Sequence, residues 1–338
     1  MEYIQQLPIR EYKVIVECLT FNHSKFIEQT LEGFVSQQTN FPFVCVIIDD
    51  FSNDGEQNVI KDWIICNSKK APALYQDNNA DIYIVEHKNN FNCTLVFYLL
   101  KENHKSRRKP KYPYYNAWKN ASKYIALCEG DDYWTDPNKL QMQADFLDSH
   151  LDYSAVATQS MIIYESGKPS HPFSKHTKDF DWEVGTLIGF RPFHTATMMY
   201  RPCEELDNRP RVFSGDMSMV IILSQKGKWK LMSRSTSVYR KHSGGVSSGV
   251  QISDLKRDSN AIPYYRKINP KFPERRYKAY LYYTFSVFPP HNSLCNILKY
   301  GIKSIWFSLT CYPMSITETL RIAYRIFIKI IKTSRNNQ

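Results

Sequence analysis

The sequence predicts an α/β fold, a mostly parallel central sheet flanked by helices, followed by a helical, basic C-terminal extension. Three observations predict it. Short apolar runs of strand length alternate with segments of helical periodicity, which implies crossovers between parallel strands. The apolar runs end in polar clusters. The positive charge is gathered in the last quarter of the chain.

Taken in order, "KVIVECL" at residues 13–19 reads as the first strand. Residues 25–38 follow with Phe26, Ile27, Thr30, Leu31, Phe34 and Val35 on one helical face. "FVCVIID" at 43–49 is the second strand, and Val59, Ile60, Trp63 and Ile64 repeat the helical pattern. "DIYIVEH" at 81–87 is the third strand. Residues 99–113, "LLKENHKSRRKPKYP", read as a basic, Pro-punctuated surface loop. "KYIALCE" at 123–129 is the fourth strand. "TDPNKLQMQADFLDSH" reads as a helix capped by Asp136, with Pro137 in its first turn. Strand-like text returns at "YSAVATQSMIIYE" and "HTATMMYR", then a helix at "GDMSMVIILSQKG" and a strand at "KWKLMSRSTSVYRKH". Near Asp254 the texture turns aromatic, basic and Pro-dotted, which divides the chain into domains 1–253 and 254–338.

With 338 residues and 43% hydrophobic content the chain can bury a sizeable core. The net charge of +11 is uneven: residues 256–338 carry 15 Lys+Arg against 3 Asp+Glu, which leaves the first 255 residues at −1. A nearly neutral core argues against nucleic acid as a partner. None of the eight cysteines forms a C-x-x-C pair, so they read as free buried thiols in a reducing compartment. The opening "MEYIQQLPIREYK" has no apolar signal-peptide region, and no uncharged apolar run approaches ~18 residues. Neither the dinucleotide fingerprint nor the P-loop motif occurs.

In an open parallel sheet, ligands sit beyond the carboxyl ends of the strands. The four strand ends here read "LTFNH", "DDFSND", "KNNFN" and "EGDD". Glu129, Asp131 and Asp132 put three carboxylates in four residues, which repel unless something positive sits among them. Hard oxygen ligands with no Cys or His beside them suit Mg²⁺ or Mn²⁺, an ion that takes further ligands from phosphate. An acidic turn capping the next helix explains the same residues.

The order and spacing of T-x-N after the first strand, DD-x-S-x-D after the second and DD-x-W after the fourth resemble family 2 glycosyltransferases of the GT-A fold, especially bacterial surface-polysaccharide enzymes. The match spans residues 13–246. It implies that Thr20, Phe21 and Asn22 form the loop that holds the nucleotide base, and that Asp50 hydrogen-bonds it. It implies Asp131 near the ribose and diphosphate, Asp132 as metal ligand and Asp216 as catalytic base. His242 falls where some members contact the metal or diphosphate. Leu19 and Phe21 stand where the family usually has Pro and Tyr, and Glu129 where many relatives have Asp.

Each of these has a second reading. Asp216 also suits the start of the helix through Val220, and His242 a turn before "SGG". Trp134 lines an acceptor pocket or packs under its loop, and His194 reads as a core histidine. In the tail, Ser315 and Glu318 have capping-box spacing. Arg321, Arg325, Lys329, Lys332 and Arg335 form one basic stripe beside Leu320, Ile322, Ala323, Ile326, Phe327, Ile330 and Ile331. Such a helix binds an anionic membrane surface or packs on the protein's own core.

The expectation is an inverting, metal-dependent glycosyltransferase that uses Mn²⁺ or Mg²⁺. It moves a sugar from a nucleotide-sugar donor, with UDP as the expected nucleotide, to a glycan or lipid-linked acceptor. The expected place is cytoplasmic, peripheral on the inner face of a bacterial membrane, in polysaccharide or glycolipid synthesis. The alternatives are a nucleotidyltransferase and a non-catalytic sugar-nucleotide or glycan-binding protein.

Overall fold

The structure, a computed structural model, describes residues 9–182, 189, 191–244, 252–289, 292–311 and 316–336, together with Leu7. The chain forms two compact units. The first comprises Met1–Asp181, Pro192–Pro202 and Trp229–Lys241; the second comprises Trp182–Arg191, Cys203–Lys228 and His242–Gln338. The boundary expected between residues 253 and 254 falls inside a helix, Ile252–Ser259, and the contacts divide the chain elsewhere.

The first unit runs β1 (Tyr12–Thr20), α1 (Ile27–Val35), β2 (Phe43–Asp49), α2 (Glu56–Asn67), β3 (Ala73–Gln76), β4 (Ala80–Glu86) and β5 (Cys93–Leu100). It continues with α3 (Tyr112–Asn120), β6 (Ser122–Leu127), β7 (Tyr133–Trp134), α4 (Lys139–Ser149), β8 (Tyr153–Tyr164), β9 (His171–Pro172), β10 (Phe180–Trp182), β11 (Met199–Tyr200) and β12 (Lys228–Lys241). Among the described residues the strands make one sheet in the order β10-β12-β8-β11-β6-β1-β2-β5-β4-β3, with β7 on β12 and β9 on β8.

The centre of this sheet, β6-β1-β2-β5, is parallel. Every residue of β2 and β5 is buried, as expected of parallel strands covered on both faces. Helix α1 buries Ile27, Leu31, Phe34 and Val35, and it comes so close to β7 that a Cβ on Gly33 would sit 2.9 Å from the Trp134 backbone nitrogen.

Two expectations change here. The strand β5, "CTLVFYLL", was not anticipated, and it takes the place in the parallel set that was expected for the third strand. That third strand, β4, pairs antiparallel with β5, so "KNNFN" leaves from the opposite edge. There Asn90 Nδ2 donates to the carbonyls of Val35 (2.9 Å) and Gln37 (2.7 Å), which satisfies the end of α1. The segment that follows β5 at the ligand edge is instead the basic loop, and its length is shorter than expected. Its ends belong to β5 and α3, and its His104 is buried.

Asp136 does not cap α4 directly. The helix begins at Lys139 after Asn138, and Asp136 Oδ1 accepts from Asn138 N at 3.0 Å in the preceding turn. All eight cysteines are free, and Cys18, Cys45, Cys93, Cys128 and Cys311 are buried.

The second unit contains α5 (Glu204–Asp207), α6 (Gly215–Ser224), α7 (Ile252–Ser259), α8 (Ile262–Ile268), α9 (Glu274–Val287), α10 (Leu294–Leu309) and α11 (Ile316–Asn336). Tyr283 of α9, Ile297 of α10 and Ile322 and Ile326 of α11 form a core of their own. A Cβ on Gly301 would come within 2.9 Å of Ile326 Cγ2, so α10 and α11 cross closely. The tail helix therefore packs on its neighbours through part of its aliphatic face. Its basic stripe is partly engaged as well: Arg325 Nη1 donates to Tyr283 Oη at 3.1 Å, and Lys329 Nζ to the Pro289 carbonyl at 3.1 Å. Glu318 accepts from the buried Arg276 at 2.5 Å, while the expected capping partner, Ser315, lies outside the described residues. Leu320, Tyr324 and Phe327 of α11 and Ile302, Trp306 and Leu309 of α10 remain more than half exposed. No helix among the described residues is long and apolar enough to cross a membrane.

Candidate active site

The carboxyl ends of β1, β2, β5 and β6 carry the loops that begin at residues 21, 50, 101 and 128. The first two are tied to each other by hydrogen bonds. Asn22 N donates to Ser52 Oγ at 2.8 Å, and Asn53 N to Asn22 Oδ1 at 3.0 Å. Ser24 N donates to Asp54 Oδ2 at 2.9 Å. Asn22 and Phe51 are held at φ values of 59° and 64°, a region costly for side chains other than glycine and common at ligand sites. Phe21 and Phe51, at the ends of adjacent strands, are 40% and 49% exposed. Phe51 was missed in the sequence because it occupies the variable position of DD-x-S-x-D.

Thr20 and Asp50 sit in the site but are turned to structural work. The Thr20 hydroxyl is buried, donates to Glu56 Oε1 and lies 3.1 Å from His23 Nδ1. Asp50 accepts from His104 N (2.7 Å), Lys105 N (3.2 Å) and Lys111 Nζ (2.8 Å). It fastens the basic loop to the end of β2, so the hydrogen bonds expected with a nucleotide base are made with that loop in this structure.

Glu56, another residue the sequence did not flag, is buried beneath these loops. It accepts from His23 N at 2.8 Å and Ser52 Oγ at 2.8 Å. Burial pushes its carboxyl from 4.5 up to about 7 against those hydrogen bonds. The native state therefore holds this proton more tightly than the unfolded chain does. The stabilisation is complete below the unfolded pKa and is lost as pH rises through about 7. Glu56→Gln stays neutral and keeps the shape. We expect it to gain roughly 3 kcal/mol relative to the wild type between pH 4.5 and 8, read by urea unfolding across that range. A stability difference that is flat with pH would show that the carboxyl is not raised.

At the end of β6 the three carboxylates take different surroundings. Gly130 is required: a Cβ there would lie 2.1 Å from Thr20 Oγ1. Asp132 is 1% exposed. Its Oδ1 accepts from Arg240 N at 2.9 Å, and its Oδ2 lies 3.3 Å from His194 Nδ1. Burial, then the Asp131 charge, push its pKa well above the carboxylate range. Asp131 points the other way, with Oδ2 3.8 Å from His23 Nε2. The positive group expected among the acids is present in the fold: Arg240 of β12 donates from Nη1 to the Asp131 carbonyl at 2.7 Å and lies 4.3 Å over the Tyr133 ring. The sequence stretch "YRKH" was read for its histidine, and its arginine was missed.

Asp132 is bound inward by β12 and His194, while Asp131 stands beside His23. One correction follows. Imidazoles do stand beside the acids, namely His23 at Asp131 and His194 at Asp132. One carboxylate oxygen beside one imidazole nitrogen is compatible with a divalent cation. His194 is also a packed residue, stacked on Tyr239 with ring centroids 3.9 Å apart. Trp134 is 3% exposed, donates from Nε1 to the Ala196 carbonyl at 2.8 Å and meets Phe34 edge-on, so it packs under the loop and does not line an open pocket.

In the second unit, Asp216 is in the first turn of α6, two residues after Ser214, the residue that precedes the helix. Its Oδ2 accepts from Arg191 and its Oδ1 from Met217 N at 2.8 Å. The loop before it is pinned by the buried Asp258, which accepts from Phe213 N at 2.6 Å. His242 is the first residue after β12 and begins the last segment of this unit.

No family model matches the chain. Uncharacterized proteins of Mycobacterium bovis and Mycobacterium tuberculosis are 27% identical over 229 residues, 68% of this chain and 58% of theirs, so the chain spans about three fifths of the length of these curated relatives. Among solved structures, a crystal structure of S. aureus TarS 1–349 in complex with UDP-GlcNAc superposes with a TM-score of 0.59 at 16% identity, covering 96% of this chain and 92% of that one. The same protein in complex with UDP gives 0.53 over the same shares. The mixed α/β architecture, with a central sheet flanked by helices and a helical C-terminal region, is thus a fold shared with glycosyltransferases of the GT-A-like kind.

Proposed function

We propose that this chain is an inverting, metal-dependent glycosyltransferase of family 2 that takes its sugar from a nucleotide-sugar donor. The observation that carries the reading is the pairing of Asp131 with His23 at the carboxyl edge of the parallel strands, where ligands of such sheets bind. The two exposed rings at the ends of β1 and β2, Phe21 and Phe51, offer flat faces to a nucleotide base, and Asn22 belongs to the same loop. The TarS complexes hold UDP-GlcNAc and UDP, which favours a uridine nucleotide here.

Asp131 and His23 would hold the divalent ion, with His242 joining them on the sequence resemblance. Bound there, the ion supplies Lewis-acid stabilisation of the departing diphosphate. Asp216 takes the proton from the acceptor hydroxyl as its oxygen bonds to the anomeric carbon and the bond to the diphosphate oxygen breaks. Arg191 orients that carboxylate. Attack from the face opposite the leaving group inverts the anomeric centre, by the geometry of inverting glycosidases. The test is incubation with a panel of nucleotide sugars and Mn²⁺, without acceptor. Slow, EDTA-sensitive release of one nucleoside diphosphate is expected, and release of pyrophosphate instead would make the protein a nucleotidyltransferase.

The acceptor is a glycan or lipid-linked hydroxyl in bacterial polysaccharide or glycolipid synthesis, met at the inner face of the cytoplasmic membrane. The apolar residues left uncovered on α10 and α11 support this, because they lie in the part of the chain with a net charge of +12. Removing α11 would uncover Tyr283 and Ile297, so point variants are the cleaner probe. Ile302→Gln/Leu309→Gln/Phe327→Gln is expected to pellet less with phosphatidylglycerol vesicles while its melting temperature holds. Equal pelleting with the wild type would remove the membrane from the reading.

A further inference from the structure

The second unit contains a cavity of about 340 Å³ lined by residues from α7, α9 and α10, together with Ile262. Four of them are lysines: Lys256 from α7, Lys278 from α9, and Lys299 and Lys303 from α10. Tyr282 and Tyr300 give it aromatic walls, their rings stacked at 12° with centroids 6.2 Å apart. Lys278 is paired with Glu274 at 2.5 Å. For Lys256, Lys299 and Lys303 there is no carboxylate partner among the described residues. Lys299 and Lys303 instead lie over Tyr300 (5.7 Å) and Tyr282 (5.4 Å).

Cations from three helices converge on one concave, ring-walled space. Lys256, Lys299 and Lys303 are themselves exposed, so their charges stand at the mouth of this space. A cleft with low-dielectric walls and one sign of charge concentrates its potential on an anion. The cavity has the volume of a small-ligand site, and lysine binds phosphate as a point charge. We propose that this cavity is a second ligand site that binds a phosphate group through Lys256, Lys299 and Lys303, with Tyr282 and Tyr300 as its walls. The phosphate comes from an anionic lipid headgroup or from a soluble phosphate ester. The site involves none of the residues assigned above to the donor, the cation or the proton transfer.

The test uses the full chain in EDTA, with inorganic pyrophosphate in one arm and phosphatidylglycerol–phosphatidylcholine vesicles in the other. A cation near an anionic surface contributes ~1 kcal/mol, so Lys299→Gln/Lys303→Gln should weaken binding by roughly 20–30-fold. Gln and Lys have nearly equal helix propensities, so α10 should persist, and thermal unfolding checks this. Lys267→Gln/Lys271→Gln, two exposed lysines outside the cavity, serves as the charge-matched control and should change binding less than about twofold. Loss in the vesicle arm identifies a lipid phosphate as the source; loss with pyrophosphate alone identifies a soluble one. Binding that the double variant leaves unchanged in both arms would overturn the site. So would a control that loses as much, which would reduce the effect to net charge.

Discussion

Asp216→Asn is expected to bind nucleoside diphosphate as the wild type does and to lose transfer by a factor of ~10²–10⁴, the usual contribution of a general base. The amide has the same shape, so it separates proton acceptance from packing. It can still accept from Arg191 or from Met217 N, but its NH₂ must then face the other donor. That local loss is about one ordinary hydrogen bond, ~1 kcal/mol, because Asp258 independently fixes the loop that leads into α6. A structural role for Asp216 therefore predicts a small drop in melting temperature with kcat nearly intact. A catalytic role predicts the same small drop with kcat lowered ~10²–10⁴-fold and KM for the donor unmoved. Measuring kcat, donor KM and melting temperature on the same preparation distinguishes them, and a near-normal kcat removes Asp216 from the mechanism.

The parallel centre of the fold was legible because buried parallel strands write themselves as unbroken apolar runs, as β1, β2 and β6 do. The strand β5 carries the same signal in "CTLVFYLL" but lies between "KNNFN" and "KENHK", two polar clusters that both resemble ligand loops. Strand direction is not encoded in such a run, and reversing β4 moved one of those clusters to the far edge of the sheet. The site was legible to the level of the motif and not of the atom. In "EGDD" the two aspartates are equivalent on paper. What separates them is a backbone N–H contributed by Arg240 and an imidazole contributed by His194, at sequence distances of 108 and 62 residues from Asp132. The same holds for Thr20 and Asp50: both lie at strand ends, and their partners Glu56, His104 and Lys111 decide what their oxygens are occupied with.

That division of labour makes the two neighbouring aspartates separable by experiment. Asp131→Ala should fold normally, within about 1 kcal/mol of the wild type, because the bonds that tie this loop to β12 run through the Asp131 carbonyl and the Asp132 carboxyl. It should bind nucleoside diphosphate in the presence of Mn²⁺ at least 10–100-fold more weakly, since even the partners of metal ligands contribute that much. Asp132→Ala should do the opposite in the first instance. It strips the buried Arg240 N–H of its acceptor and the partly buried His194 of its neighbour, a defect of about 1–3 kcal/mol. Asp132→Asn should cost much less, because burial already favours the uncharged form of this carboxyl and the amide oxygen can still accept from Arg240 N. Calorimetric titration of nucleoside diphosphate with and without Mn²⁺, run beside urea unfolding, reads both quantities for all three variants. If Asp132→Asn folds like the wild type yet loses Mn²⁺-dependent binding, while Asp131→Ala keeps it, the cation belongs to Asp132 and the inward contacts with Arg240 and His194 must open when it binds.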